Sequence, residues 1–156
     1  MATESGTRQF ATFFIDKLMF GVEVTHVQEV LRYQEMTRVL LAPEVIGGLI
    51  NLRGQIVMAI DMRQRLELPP RGSDRTPMNM IVRSDDGAVS LLVDEIGDVL
   101  DVDESVFERP PDNITPVTRE LTQGVYKLKD RLLLVLDVKR TVAHGGVVVT
   151  STKTAA

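Results

Sequence analysis

Gly48-Leu49-Ile50-Asn51-Leu52-Arg53-Gly54-Gln55-Ile56-Val57-Met58-Ala59-Ile60-Asp61-Met62-Arg63 lies without a gap over Gly124-Val125-Tyr126-Lys127-Leu128-Lys129-Asp130-Arg131-Leu132-Leu133-Leu134-Val135-Leu136-Asp137-Val138-Lys139. Glycine, leucine and aspartate recur at matching places, and Arg53 faces Lys129. A second match lays Val24-Thr25-His26-Val27-Gln28-Glu29-Val30-Leu31 over Val93-Asp94-Glu95-Ile96-Gly97-Asp98-Val99-Leu100. The offsets are 76 and 69 residues, so a longer loop in the second half takes up the difference. Two matches in the same order imply two similar lobes joined near residues 69–77. Lobe 1 covers about residues 9–68 and lobe 2 about 78–143, with exchange of strands between them allowed. Neither is large enough alone to make a sizeable core, so an apolar seam should join them.

Outward from the repeat, the periodicity is that of β-structure. Phe10, Thr12 and Phe14 alternate with Ala11, Phe13 and Ile15, and both sets are largely apolar, as in a strand covered on both faces. Leu18 to Val24 follows after a short Asp16-Lys17 turn. Further strands are expected at 38–41, 49–52, 55–60, 78–83, 89–93, 98–102, 123–128 and 131–136. Asp85-Asp86-Gly87 and Lys129-Asp130 are hairpin signals. About ten short strands with few helices predict an all-β fold of closed or nearly closed barrels. Thr25-His26-Val27-Gln28 fits a capping box, which starts a short helix with Val27, Val30 and Leu31 on one face. Asp61 and Asp137 read as helix N-caps after strands. Residues 69–77, rich in proline and glycine, form the clearest linker, and Arg109-Pro110-Pro111-Asp112-Asn113 a second loop. Residues 1–8 and 144–156 read as flexible tails.

The 156 residues are 44% hydrophobic and 26% charged, a globular composition. Cysteine is absent, which removes disulfides, thiolate metal sites and cysteine nucleophiles. A net charge of −4 gives no bulk attraction for nucleic acid or anionic lipid. No apolar run approaches the ~20 residues of a membrane span, so no membrane insertion is expected and the cytoplasm is the default compartment. His26 and His144 are far apart, no metal or cofactor site is legible, and no catalytic motif occurs. Asp94 and Glu95 are neighbours in a strand, so they point to opposite faces and form no acid/base dyad. These exclusions leave a binding module.

On the expected helix Glu29 stands opposite the apolar face, and Arg53 projects from a turn before Gly54. If close, they form an opposite-charge surface pair. An ordinary exposed pair is worth about 0–1 kcal/mol, and the same pair can also fix a partner's register beside an apolar groove.

Val27-Gln28-Glu29-Val30, Thr37-Arg38-Val39, Ala42-Pro43, Ile46-Gly47-Gly48-Leu49-Ile50-Asn51-Leu52-Arg53-Gly54 and Ile60-Asp61-Met62-Arg63 resemble the signature of the CheW family of bacterial chemotaxis coupling proteins. Val93-Asp94-Glu95-Ile96-Gly97-Asp98-Val99-Leu100 is similar to that family's other recurrent segment. The likeness covers roughly residues 9–143. It implies two five-stranded β-barrels of the Src-homology-3-like kind, packed across an apolar seam, with no cofactor and no enzymatic activity. It implies an adaptor joining the cytoplasmic tip of methyl-accepting chemotaxis receptors to the regulatory domain of the histidine kinase CheA, recruited to receptor arrays at the membrane. The family's partner-binding residues fall on Val27, Glu29, Gly48, Arg53, Ile96 and Val99. Met58 stands where the family usually has proline. The Arg109-Pro110-Pro111 loop lacks the aromatic residue that follows in the family, so no role is carried to it. A coupling protein for surface motility or development, and a small β-barrel enzyme or ligand-binding domain, are the alternative readings.

Overall fold

Two sheets carry the chain, and each takes strands from both halves of the sequence. The computed structural model describes residues 7–72, 74–85, 87–144, 147 and 148. The strands of the first half are β1 (Thr7–Ile15), β2 (Leu18–Glu23), β3 (Val27–Leu31), β4 (Ile46–Leu52) and β5 (Gln55–Asp61), followed by helix α1 (Met62–Arg65). The second half contains β6 (Met78–Ser84), β7 (Gly87–Val93), β8 (Glu95–Asp103), β9 (Phe107–Glu108), helix α2 (Pro116–Glu120), β10 (Thr122–Lys127), β11 (Leu132–Leu136) and helix α3 (Val138–Val142). A small hairpin, β12 (Ala143–His144) with β13 (Val147–Val148), comes last. The fold is all-β with a few short helices.

One sheet runs β3-β6-β7-β5-β4 and the other β8-β1-β2-β11-β10-β9. The β6–β7 hairpin is built into the barrel of the first half, between β3 and β5, and the β1–β2 hairpin into the barrel of the second. In both, one pair that joins the inserted hairpin to the strands of the other half is parallel: β5 with β7, and β11 with β2. The two barrels therefore exchange equivalent hairpins, which ties the sequence halves together more strongly than a linker alone.

Burial explains why the strands lack polar alternation. In β11, Leu133 and Val135 join a cluster with Phe10, Met19 and Tyr126, confined to the second barrel. Leu134 and Leu136 point the other way, into a larger cluster. In the first barrel, Ile81 packs with Ile50, Leu52 and Val57, whereas its neighbours Met80 and Val82 face the larger cluster. That larger cluster draws Phe13, Phe20 and Leu134 from one sheet and Ile60, Met80 and Leu91 from the other, and is the apolar seam. Each such side chain stabilises by about 1.5–3 kcal/mol when fully buried. The Phe13 and Phe20 rings stack with centroids 5.8 Å apart.

Both N-cap expectations are met. Asp61 Oδ1 accepts the amide of Arg63 at 3.0 Å, and Asp137 Oδ1 that of Arg140 at 3.0 Å. The paired glycines of the repeat also find their reason. A Cβ on Gly48, which has φ +153°, would lie 2.8 Å from Met36 Cβ and 2.9 Å from the Thr37 carbonyl oxygen. A Cβ on Gly124 would lie 2.2 Å from Phe107 Cζ and 2.8 Å from the Glu108 carbonyl oxygen. At each place the segment after β3 or β8 crosses the barrel and closes it, by the Thr37–Leu49 bridge in one lobe and by β9 on β10 in the other. Only a residue without a side chain permits that approach.

Three expectations need correction or restriction. The helix at Thr25 is absent: Val24–His26 is a single 3-10 turn without a side-chain cap, and Val27–Leu31 is strand β3 on β6. A β-bulge between Val27 and Glu29 breaks the two-residue period there, and seven residues cannot separate that pattern from a helical one. The strand at 38–41 is also absent. Leu41 has φ +65°, Pro43 follows, and only Thr37 pairs, with Leu49. The tail expectations lie mostly outside the described residues, as does Asp86 of the β6–β7 turn. Within them Arg8 is held, its guanidinium donating to Glu23 at 3.3 Å and to the Tyr126 hydroxyl at 3.0 Å.

Candidate functional site

The outward side of the first barrel places Glu29 against Arg53. β3 and β4 are the two ends of a five-stranded order, so the sheet closes only if something bridges them. The Thr37 amide donates to the Leu49 carbonyl at 2.9 Å, and the Leu49 amide returns the bond at 2.8 Å. Beyond this bridge, the Arg53 guanidinium donates to the Glu29 carboxylate across the gap.

Asn51-Leu52-Arg53-Gly54 builds the turn that presents the guanidinium. Arg53 and Gly54 have φ +52° and +87°, the positive pair that a two-residue hairpin of type I′ needs. The Gly54 amide donates to Asn51 Oδ1 at 2.8 Å, which favours this turn locally. Arg53 is 68% exposed and Glu29 23%. The pair is thus worth no more than about 1 kcal/mol to folding, and leaves most of the guanidinium open to another molecule.

Of the other sequence-derived residues, Val27 and Ile96 occupy equivalent places in the repeat, and both are half-buried against the seam cluster. Three residues on from each, Val30 and Val99 are 38% and 57% exposed. Glu29 is not opposite Val27, as a helix would put it; in β3 the two share a half-buried pattern. Gly48 is buried beneath Met36 and Thr37. It acts on the surface through the segment it lets approach. The geometry brings Glu29 and Arg53 together as an ion pair and sets Val27 and Ile96 on one shared cluster.

Sequence reasoning missed a second node. Asp94, set aside with Glu95 as no dyad, has a 6% exposed side chain. It accepts from Arg63 Nη2 at 2.6 Å, from Arg71 Nε at 2.9 Å and from the Asp16 amide at 2.7 Å. Burial pushes its carboxyl up, but the hydrogen bonds from Arg63, the Asp16 amide and Arg71 outweigh it and hold the pKa at about 2. Arg63 also donates to the Pro69 carbonyl at 2.8 Å, so the residues that follow α1 are pinned to the other half of the sequence. The signal was present in the repeat: Asp94 departs from Thr25 at the equivalent position.

A model of the CheW-like domain matches residues 9–145. This chain belongs to the CheW-like family. The chemotaxis protein CheW of Bacillus subtilis is 33% identical over 125 residues, covering 80% of this chain and 80% of that protein. That of Klebsiella aerogenes is 26% identical over 140 residues, covering 90% of this chain and 84% of its own. A crystal structure of the scaffolding protein TtCheW from Thermoanaerobacter tengcongensis superposes with a TM-score of 0.80 at 27% identity. It covers 89% of this chain and 94% of that one. Membership gives the CheW-like chain its role as a non-enzymatic coupling scaffold in chemotaxis, with partners among chemotaxis signalling proteins. No helix among the described residues is long and apolar enough to cross a membrane.

Proposed function

We propose that this CheW-like chain joins the cytoplasmic tips of methyl-accepting receptors to the regulatory domain of the histidine kinase CheA, in the cytoplasm beneath receptor arrays. The observation that carries this reading is the outward Glu29–Arg53 pair at the closure of the first barrel. A mostly exposed guanidinium held by one carboxylate has donors left over for a second acceptor, and its orientation is fixed before the partner arrives. Val27 and Ile96, half-buried at the lip of the seam, with Val99 exposed beyond, supply apolar surface of the kind that receives a helical hairpin. Gly48 supports the surface from beneath by admitting the Met36–Thr37 crossing. Two unlike contact faces on one small scaffold allow alternation with a second protein into closed rings. The scaffold changes kinase output only in so far as it binds the kinase's active and inactive arrangements with different affinity.

The test is co-sedimentation of receptor fragments and CheA with the full chain and charge-reversed variants. Glu29→Arg and Arg53→Glu each weaken recruitment about tenfold or more with folding unchanged. Recruitment by both reversals at the wild-type level contradicts the assignment of these two residues.

A further inference from the structure

The repeat relates two clefts, one at each end of the seam. Under the offsets of 69 and 76 residues, Asp94, Glu95, Phe14, Asp16 and Arg63 correspond to Thr25, His26, Arg83, Asp85 and Lys139. The first set lines a cleft of about 480 Å³, and His26, Arg83, Asp85 and Lys139 of the second line one of about 440 Å³. Equivalent places therefore hold different chemistry.

At the Asp94 end each arginine finds a partner within the chain, although Arg71 Nη2 is buried without a hydrogen bond. Asp94 holds Arg63 and Arg71, Glu95 lies 3.2 Å from Arg75, and Arg131 sits over the Phe14 ring at 5.2 Å. At the other end both of these carboxylates are missing, replaced by Thr25 and His26, and an arginine takes the place of Phe14. Arg8 is taken up by Glu23 and Tyr126. Asp137 caps α3. Lys139 reaches Asp85 at 3.4 Å, both side chains more than three-quarters exposed. Arg83 donates only to the Thr25 carbonyl, at 3.1 Å, and meets no carboxylate within ion-pair distance among the described residues. The cleft has apolar walls from Val22 and Val138.

We infer that this cleft receives an acidic side chain of a partner protein, whose carboxylate takes the place that Asp94 fills at the opposite end. The incoming group pairs with Arg83, beside His26 and Lys139, and its methylene stem lies on the apolar walls. An exposed guanidinium with donors to spare is a natural carboxylate receiver, and at the opposite end Asp94 pairs with Arg63, the counterpart of the neighbouring Lys139. The inference deepens the scaffold reading and rests on it, since the partner belongs to the same assembly.

The experiment titrates the full chain against receptor fragments and CheA at about 0.15 M ionic strength, with three variants. Arg83→Glu lowers affinity for one of the two about tenfold or more, whereas Arg83→Lys stays within about threefold. Thr25→Asp supplies an internal carboxylate as Asp94 does, blocks the cleft, and lowers affinity for the same partner while unfolding at the wild-type denaturant concentration or above. Wild-type binding undiminished by Arg83→Glu and Thr25→Asp overturns the inference alone. Failure of the wild-type chain to bind either probe overturns the scaffold reading and the inference together.

Discussion

The two ends of the seam start from the same plan and finish differently. At each, a strand ends in an N-capping aspartate, Asp61 or Asp137, and a cation two residues later, Arg63 or Lys139, faces the aspartate of the exchanged hairpin, Asp16 or Asp85. At one end Asp94 adds a buried carboxylate and the pair becomes a locked node. At the other end Thr25 adds none, and the pair stays solvated. Substitutions at a few equivalent places of a repeat thus separate a structural clamp from an open surface, and a duplicated scaffold can divide stability and recognition between its halves.

The sharpest break of that comparison is Asp94→Ala. It leaves Arg71 buried without a counter-charge and Arg63 with only the 3.8 Å contact to Asp16, and is expected to cost about 3–5 kcal/mol in urea unfolding. Thr25→Ala at the equivalent place should stay within about 0.5 kcal/mol. Equal losses at the two positions would erase the distinction.

The glycine crossings come next. Gly48→Ala and Gly124→Ala each force a Cβ into a closing segment, with an expected loss of about 1–3 kcal/mol. The larger loss should fall at Gly48, whose φ of +153° also disfavours a side chain. A neutral Gly48→Ala in a melting experiment would remove the account of barrel closure.

Acid titration sharpens the same contrast. The Asp94 pKa is about 2 in the folded chain against an ordinary 3.8, a depressed carboxylate. Its contribution, on the order of 2 kcal/mol, is fully present above pH 4 and is lost as pH falls from about 4 through 2. Asp94→Asn should flatten that part of the stability profile, and an unchanged acid limb in the variant would contradict the assignment.

The smallest effect is in the loop between β3 and β4. Leu41 is fully exposed at φ +65°, where α2 stands in the other lobe. Leu41→Asn suits that conformation better and should raise stability by about 0.5–1 kcal/mol, read from the denaturation midpoint.

The fold was largely legible because duplication and two-sided apolar strands leave periodic marks. Gly48 and Gly124, and Asp61 and Asp137, stood at matching places before their geometry was known. What hid was tertiary in origin. The bulge at β3 made Val27–Leu31 resemble a helical face, and only pairing with β6 decides between the two. Glu29 and Arg53 could be proposed as a pair from residue type and turn chemistry, but that they close a barrel depends on the sheet order. The Asp94 node draws on residues from 16 to 94, and no local pattern announces such a convergence.

Hydrogen exchange of the full chain, free and bound to receptor fragments with CheA, tests most directly whether recognition lies on the outside of the barrels. Slowed exchange is predicted for Val27–Leu31 and for the Asn51–Gln55 turn, with strands lining the seam, such as β7 and β11, unchanged. Unaltered exchange at both of those outer segments, or new protection confined to the seam strands, would contradict it.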